Sequence, residues 1–441
     1  MCPKPRLFAL VLPFLVLTTT SVARSLPLKT LQRVCDVDFP GCIDGVQGLR
    51  SVLSPVVSPE GRHVYVVSAL DDAVVAFSRN PGNGRLTFVQ ALFDTDSGVD
   101  GLDSARGAAL SPDGAFLYVA ALLDNSVAVF SRDAMTGALA FVDIEVDGSG
   151  GVTRLGGAYG VAVSPDEAHV YVAARSDDAV VVFARNTVSG TLTLLQEVVQ
   201  GSGGVNGLDA AVAVTVSPDG KHVYVASETA SAGSTGDDAV AVFSRVTDSG
   251  SPNYGRLSFV EAQQDGVSGV DGLAGAGAVT VSPDGANVYV ASERGNDGGG
   301  DWAAVFSRDA TTGALTFLQD LQESDFDIFT GCTGVGPEAS GVAVRPDGAY
   351  VFLTNPYGGT LAVFARDGSS GALTLDNSIC DLAFGQDGLA GASGVTTDPA
   401  GESVYVTSGS FSSLAVIGTD VVFHDGFESG DTSTWTAVEP P

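Results

Sequence analysis

The chain has 441 residues, of which 17% are charged and 56 are glycine, and its mean hydropathy is +0.25. That composition excludes a disordered chain and points to a turn-rich, compact β protein. With 52 acidic against 21 basic residues the net charge is −31, a surface that repels phosphate backbones, so nucleic acid is excluded as a partner.

Residues 1–23 read as a secretory signal. Lys4 and Arg6 precede the apolar run Leu7–Leu17, and Ser21-Val22-Ala23 supplies small residues for cleavage. The run is short for a bilayer and no other stretch replaces it, so no membrane span is expected and the chain is placed outside the cell or in the periplasm. Removing the two bases leaves a mature charge of −33 (19 − 52). Four cysteines then remain, Cys35, Cys42, Cys332 and Cys380. An even number in an exported chain suggests two disulfides with three possible pairings. Cys35 with Cys42 would close a short loop, and Cys332 with Cys380 would join successive inter-blade loops.

From residue 58 onward one signal recurs. It is Ser58-Pro59-Glu60-Gly61, then Ser111-Pro112-Asp113-Gly114, Ser164-Pro165-Asp166-Glu167, Ser217-Pro218-Asp219-Gly220 and Ser282-Pro283-Asp284-Gly285. Two looser copies follow, Arg345-Pro346-Asp347-Gly348 and Asp398-Pro399-Ala400-Gly401, and the intervals are 53, 53, 53, 65, 63 and 53 residues. Proline second and glycine fourth make a type I turn. A strand of small residues precedes each turn, as in Gly160-Val161-Ala162-Val163. Three further strands follow, as in His222–Ala226, Ala239–Phe243 and Ala314–Leu318. Four short strands per unit make a blade, and a blade must stack on neighbours to bury both faces. The expected fold is an all-β, seven-bladed β-propeller over residues 24–420, four antiparallel strands per blade, with a tail at 421–441.

The first strand is rich in glycine and alanine because seven copies converge on the axis. Farther out aromatics are expected to fill the gaps: Tyr65, Tyr118, Tyr171, Tyr224, Tyr289, Phe352 and Tyr405 on second strands, and Phe77, Phe130, Phe183, Phe243, Phe306, Phe364 and Ile417 on third strands. The last repeat lacks its fourth strand. Leu26–Gln32 resembles Gly190–Gln196, so the N-terminal strand is expected to close the ring.

Periodic polar residues read as structural. His63, His169 and His222 share one repeat position beside the turn, and Arg79, Arg132, Arg185, Arg245, Arg308 and Arg366 are expected to pair with turn carboxylates such as Asp113. The opposite face carries Asp71-Asp72, Asp124-Asn125, Asp177-Asp178 and Asp237-Asp238, with Asp44, Asp100, Asp271 and Asp387 in inter-blade loops. These carboxylates either bind calcium or cap backbone amides.

A site is expected where the repeat breaks. Five residues before each turn, at the entrance to the innermost strand, stand Leu53, Arg106, Tyr159, Val212, Gly277, Ser340 and Ser393. Arg175, Glu228, Glu293, Arg294 and Asn355 break the pattern in loops on the same face. Arg106, Tyr159, Arg175, Glu228, Glu293, Arg294, Ser340, Asn355 and Ser393 are the candidates for holding a small polar ligand.

The repeat resembles the YVTN-type propellers and the lactonase-like seven-bladed propeller family (the 6-phosphogluconolactonase-like fold). The resemblance rests on Val161-Ala162-Val163-Ser164-Pro165-Asp166, Val223-Tyr224-Val225-Ala226-Ser227 and Ala128-Val129-Phe130-Ser131-Arg132-Asp133. It spans roughly residues 26–420 and implies hydrolysis of a sugar lactone such as 6-phosphogluconolactone, or an activity like that of a relative acting on muconate. Those enzymes carry Pro-His at the entrance to an innermost strand, which all seven positions here lack. Lactone opening would fall to Glu228 or Glu293 as base and Arg106 as oxyanion donor. The first expectation is therefore a monomeric, non-catalytic exported propeller that binds a ligand or protein partner through its acidic face. The alternatives are a lactonase-type hydrolase and a calcium-stabilised surface protein.

Overall fold

A computed structural model describes residues 26, 28–38, 45–96, 98–228, 237–293, 301–322, 339–381 and 388–419. The signal-like residues 1–23, Cys42, Asp44, Arg294, Cys332, Asp387, His424 and the tail from 420 lie outside them. Among the described residues 28 strands form seven four-stranded antiparallel sheets. Blade one is Val52–Val57, His63–Ser68, Ala73–Arg79 and Leu86–Phe93, counted from the axis outward. The next five blades repeat this order. The seventh joins Ala392–Thr397, Ser403–Ser408 and Ser413–Gly418 to the N-terminal strand Lys29–Cys35.

That closing strand runs antiparallel to Ser413–Gly418, from Lys29 opposite Gly418 to Cys35 opposite Ser413. It begins three residues later than the Leu26–Gln32 span expected from the sequence. The reason is that Leu26 is tied to blade six. Its N–H donates to Asp376 at 2.5 Å and its carbonyl accepts from Asn377 at 2.7 Å. The alignment itself holds. Gln32 donates to the Leu86 carbonyl at 2.9 Å and accepts the Leu86 N–H at 2.6 Å, stapling blade seven to blade one. Gln196 does the same to Leu257 of the next blade, at 3.1 and 2.8 Å.

Close approach of the innermost strands dictates their small residues. A Cβ on Gly107 would lie 2.2 Å from the Tyr159 carbonyl oxygen, and one on Gly160 2.5 Å from that of Val212. Between the blades the expected aromatics and Ile417 are buried, none more than 1% exposed.

One bolt recurs on the face that carries the Ser-Pro turns. Arg245, ending the third strand of blade four, donates Nε–H to the Tyr171 hydroxyl at 2.6 Å and reaches Asp166 in the turn of blade three. The Tyr171 hydroxyl donates to the Gly255 carbonyl at 3.0 Å. The arginines at 79, 132, 185, 308 and 366 repeat the bond to the preceding blade's tyrosine. Arg185 reaches Asp113 at 3.6 Å, so the carboxylate partner belongs to the previous blade. Burial, opposed by Arg132, pushes the Tyr65 hydroxyl up to about 12. His63, His169 and His222 are buried beside these arginines. His222 Nδ1 accepts from Arg308 at 2.7 Å, which fixes it as the neutral ring. Their role is structural, as their periodicity implied.

Candidate functional site

On the opposite face the seven innermost strands open into a cavity of about 350 Å³. All seven repeat-breaking residues line it: Leu53, Arg106, Tyr159, Val212, Gly277, Ser340 and Ser393. Strand pairing explains how they come to face inward. Register shifts between Ala105 and Gly107 and between Ala158 and Gly160 leave Arg106 and Tyr159 as the unpaired residue of a β-bulge. Val212, Gly277 and Ser393 occupy the same bulge in blades four, five and seven. A bulge turns one side chain out of the pleat. Here it turns that residue toward the axis, while its neighbours keep the small side chains that the convergence demands.

Charge sits on one side of the cavity. The Arg106 guanidinium lies 5.6 Å from the centroid of the Tyr159 ring, within cation–π range. Its Nε is buried and has no hydrogen-bond partner. Glu228 and Glu293, from the ends of the second strands of blades four and five, line the same cavity. Glu228 is held by Arg175, whose Nε and Nη2 both reach Oε1, at 3.0 and 2.8 Å. The Glu293 side chain lies over Gly277, where a Cβ would meet its Oε1 at 3.5 Å. Burial pushes the Tyr159 hydroxyl above its ordinary value. Arg106 opposes this, Glu228 and Glu293 add to it, and Arg175 opposes it more weakly. All four charged groups thus act on the Tyr159 hydroxyl.

The remaining candidates have other duties. Ser340 and Ser393 line the cavity but donate their hydroxyls to the neighbouring blade, to the Ala392 carbonyl at 2.9 Å and the Val52 carbonyl at 3.1 Å. Asn355 is fully buried, accepts the Gly358 N–H at 2.6 Å and does not line the cavity. Arg175 lies behind Glu228 and orients it. The sequence placed Arg175 with Glu228 among the ligand-binding candidates, because spacing along the chain cannot show which member of a pair lines the cavity.

The acidic pairs of the same face are backbone caps. Asp177 accepts the Gly156 N–H of its own blade at 2.7 Å, and Asp178 accepts the Ala210 N–H of the next at 2.9 Å. Asp71 and Asp72 cap Arg50 and Ser104 in the same way, at 2.9 and 2.8 Å. Asp72 and Asp178 do this from a left-handed backbone, φ 51° in each, which short polar side chains tolerate. Asp94, Asp100 and Asp124 bring carboxylate oxygens within 4.8 Å of one another. Each also accepts a backbone N–H, from Leu102, Gly101 and Asp103. No helix of the described residues is long and apolar enough to cross a membrane.

The family model for the seven-bladed lactonase β-propeller matches residues 55–206, 157–264 and 247–378. The 6-phosphogluconolactonase of Bacillus subtilis (strain 168) is 30% identical over 143 residues, 32% of this chain and 39% of that protein. The match thus spans about two fifths of that relative's length. The periplasmic gluconolactonase of Pseudomonas aeruginosa superposes with a TM-score of 0.57 at 23% identity, covering 76% of this chain and 86% of that one. The Kuenenia stuttgartiensis hydrazine synthase superposes as well, with 0.58 at 18% identity over 88% and 97%. Equal likeness to two such different proteins shows the fold and leaves activity to the site.

Proposed function

Because the chain belongs to the lactonase family of seven-bladed β-propellers, we propose that it is a hydrolase of small lactones and that the axial cavity is where they open. The observation that carries this reading is the buried Arg106 Nε–H, without a partner, in a cavity shared with two carboxylates. An unmade bond to a buried cation is costly, so a ligand acceptor there is stabilising. A lactone carbonyl is such an acceptor, and its oxygen gains negative charge as it is attacked.

In this mechanism Glu293 or Glu228 takes a proton from water while the water oxygen bonds to the lactone carbonyl carbon. The Arg106 guanidinium stabilises the oxyanion that forms. Collapse breaks the bond between that carbon and the ring oxygen, which leaves as an alkoxide and recovers the proton from the glutamic acid. The product is an open hydroxy acid, which releases its proton to solvent. Arg175 holds Glu228 in place at the cavity wall, and either carboxylate can take the proton. Among the described residues two guanidiniums are set against two carboxylates, with no net positive charge, which favours an uncharged ring over a phosphate dianion. The signal-like residues 1–23 support an exported place of action, with Cys35, Cys42, Cys332 and Cys380 oxidised in pairs.

The test is turnover of a panel of unphosphorylated lactones by the full chain, followed by proton release. Arg106→Ala is expected to lower kcat/KM by about 100-fold, the usual loss for an oxyanion donor. Equal turnover by the variant, or lactone binding without turnover by the native chain, would overturn the hydrolase reading.

A further inference from the structure

The cavity mouth has two unlike halves. Arg106, Tyr159, Glu228 and Glu293 come from blades two to five. Blades six, seven and one contribute Ser340, Ser393 and Leu53, the two serines bonded to backbone. The loops between second and third strands carry apolar tips on three blades, one of them blade two, which also supplies Arg106. Tyr357 of blade six, Leu70 of blade one and Leu123 of blade two occupy one repeat position, two residues beyond the second strand, and are 70%, 63% and 63% exposed.

Scattered exposed apolar residues need no explanation. Their recurrence at one position of three blades on one rim, interrupted by Ser410 in blade seven, is different. These loops are built against the entrance to the cavity. The Leu70 N–H donates to the Arg50 carbonyl at 3.2 Å and the Leu123 N–H to that of Asp103 at 3.2 Å, three residues before the liners Leu53 and Arg106. In blade seven Gly409, beside the equivalent tip, approaches Leu53 and Ser393 directly, and its Cβ would lie within 3.9 Å of both. In blade three, beside the charged cluster, the same position holds Ser176. Among the described residues the other large apolar side chains more than 60% exposed, Met135 and Val188, lie in turns between third and fourth strands on the far face.

We propose that the substrates are lactones carrying a hydrocarbon chain, with the ring among Arg106, Tyr159 and the glutamates and the chain leaving over the apolar arc of Leu123, Leu70 and Tyr357. This rests on the lactonase reading above and adds the substrate class. The ring requires an acceptor for Arg106, which a hydrocarbon lacks. The exposed side chains of Leu123, Leu70 and Tyr357 offer apolar contact that a hydrocarbon chain can use. One molecule satisfies both halves when its polar and apolar ends are joined.

The experiment compares γ-butyrolactone with γ-lactones bearing butyl and octyl chains on the ring carbon beside the ring oxygen. The full chain is used, with kcat and KM measured separately. Partial burial of each methylene is expected to lower KM by about twofold over the first several. The triple variant Leu70→Asn, Leu123→Asn, Tyr357→Ser is expected to cut the octyl-to-unsubstituted ratio of kcat/KM by about tenfold, the Tm serving as a check on folding. Turnover of all three lactones with no dependence on chain length, or a ratio unmoved in the variant, overturns the chain-binding arc and leaves the lactonase reading standing. Absence of turnover and of calorimetric binding for every lactone removes both.

Discussion

The two faces of the disc are made by opposite ends of the same strands, yet they obey different rules. On the turn face the arginine, tyrosine and carboxylate recur from blade to blade, and where one copy departs a neighbour compensates. On the cavity face the bulge position runs through arginine, tyrosine, valine, glycine and serine, and nothing compensates. Arg106 has a buried nitrogen without a partner, whereas Arg245 is fully engaged by Tyr171, Asp166 and His169. Repetition in this molecule marks what holds the ring shut, and its loss marks where the axial cavity opens.

The sharpest way to break that comparison is at the seam between blades seven and one. There the turn reads Asp398-Pro399-Ala400, so the carboxylate has moved from the third turn position to the first. It still meets Arg79 from blade one, but it is fully buried, whereas Asp113 is about a third exposed. Removing one partner of a buried pair strands the other. Asp398→Ala is expected to cost about 3–5 kcal/mol, and Asp113→Ala about 1 kcal/mol or less. Denaturant unfolding of the two variants measures the difference. Equal losses would show that the seam is no different from the other joints. Arg106→Ala on the other face should leave the midpoint within the scatter of native preparations while abolishing most turnover.

How far the sequence disclosed these features follows from the physics of each. The turn period, the aromatic ladder and the closing strand were legible because they depend on local turn chemistry and on alternation along a strand. Arg345 shows where that reading stopped. It stands where other blades have the turn serine and looks like decay of the repeat, yet its Nε–H reaches the Gly401 carbonyl of blade seven at 3.1 Å. In the other blades an arginine from the third strand makes that kind of bond, as Arg79 does to Gly61. Blade seven has Thr419 there, and its hydroxyl takes the same carbonyl at 2.8 Å. The compensation crosses an interface and cannot be seen along the chain. The break in the repeat pointed to Arg106, which lines the cavity, but the bulge that aims it depends on register with the second strand, which composition does not encode. Asn355 was misplaced because a loop residue that breaks a repeat looks the same whether it faces a ligand or caps a turn.

A smaller effect is expected from the histidines of the turn face. Burial, then the Arg245 charge, holds His169 down at about 4. Between pH 6.5 and about 4 the unfolded chain therefore binds a proton that the folded chain does not, and stability falls as the pH falls through that window. The loss is on the order of 1–3 kcal/mol for His169. Blade two has Phe116 at the same repeat position, which suggests the control. His169→Phe should flatten the stability curve between pH 6.5 and 4, read from urea midpoints across that range. An unchanged slope would mean that the ring is not the group that titrates.

The smallest effect lies at the seam again. At the position where blades one, three and four have histidine and blade two has phenylalanine, blade seven has Ser403. In those blades the ring packs against a glycine of the following blade, His63 on Gly137 and Phe116 on Gly190. Ser403 meets Gly84 with only its hydroxymethyl group, and an open cleft of about 160 Å³ remains beside it, walled by Leu31, Pro81, Glu402 and Gly418. The cleft leaves unmade the ring-to-glycine contacts that the other joints possess. Ser403→His should fill it in the manner of its counterparts and raise stability by about 1 kcal/mol or less, since Ser403 also helps to engage Arg79 and that bond at 3.3 Å is lost. A gain in thermal midpoint would identify the seam as an under-packed copy of the common joint. A loss would mean that the cleft is matched to the small residue and that the ring cannot enter without displacing Gly84.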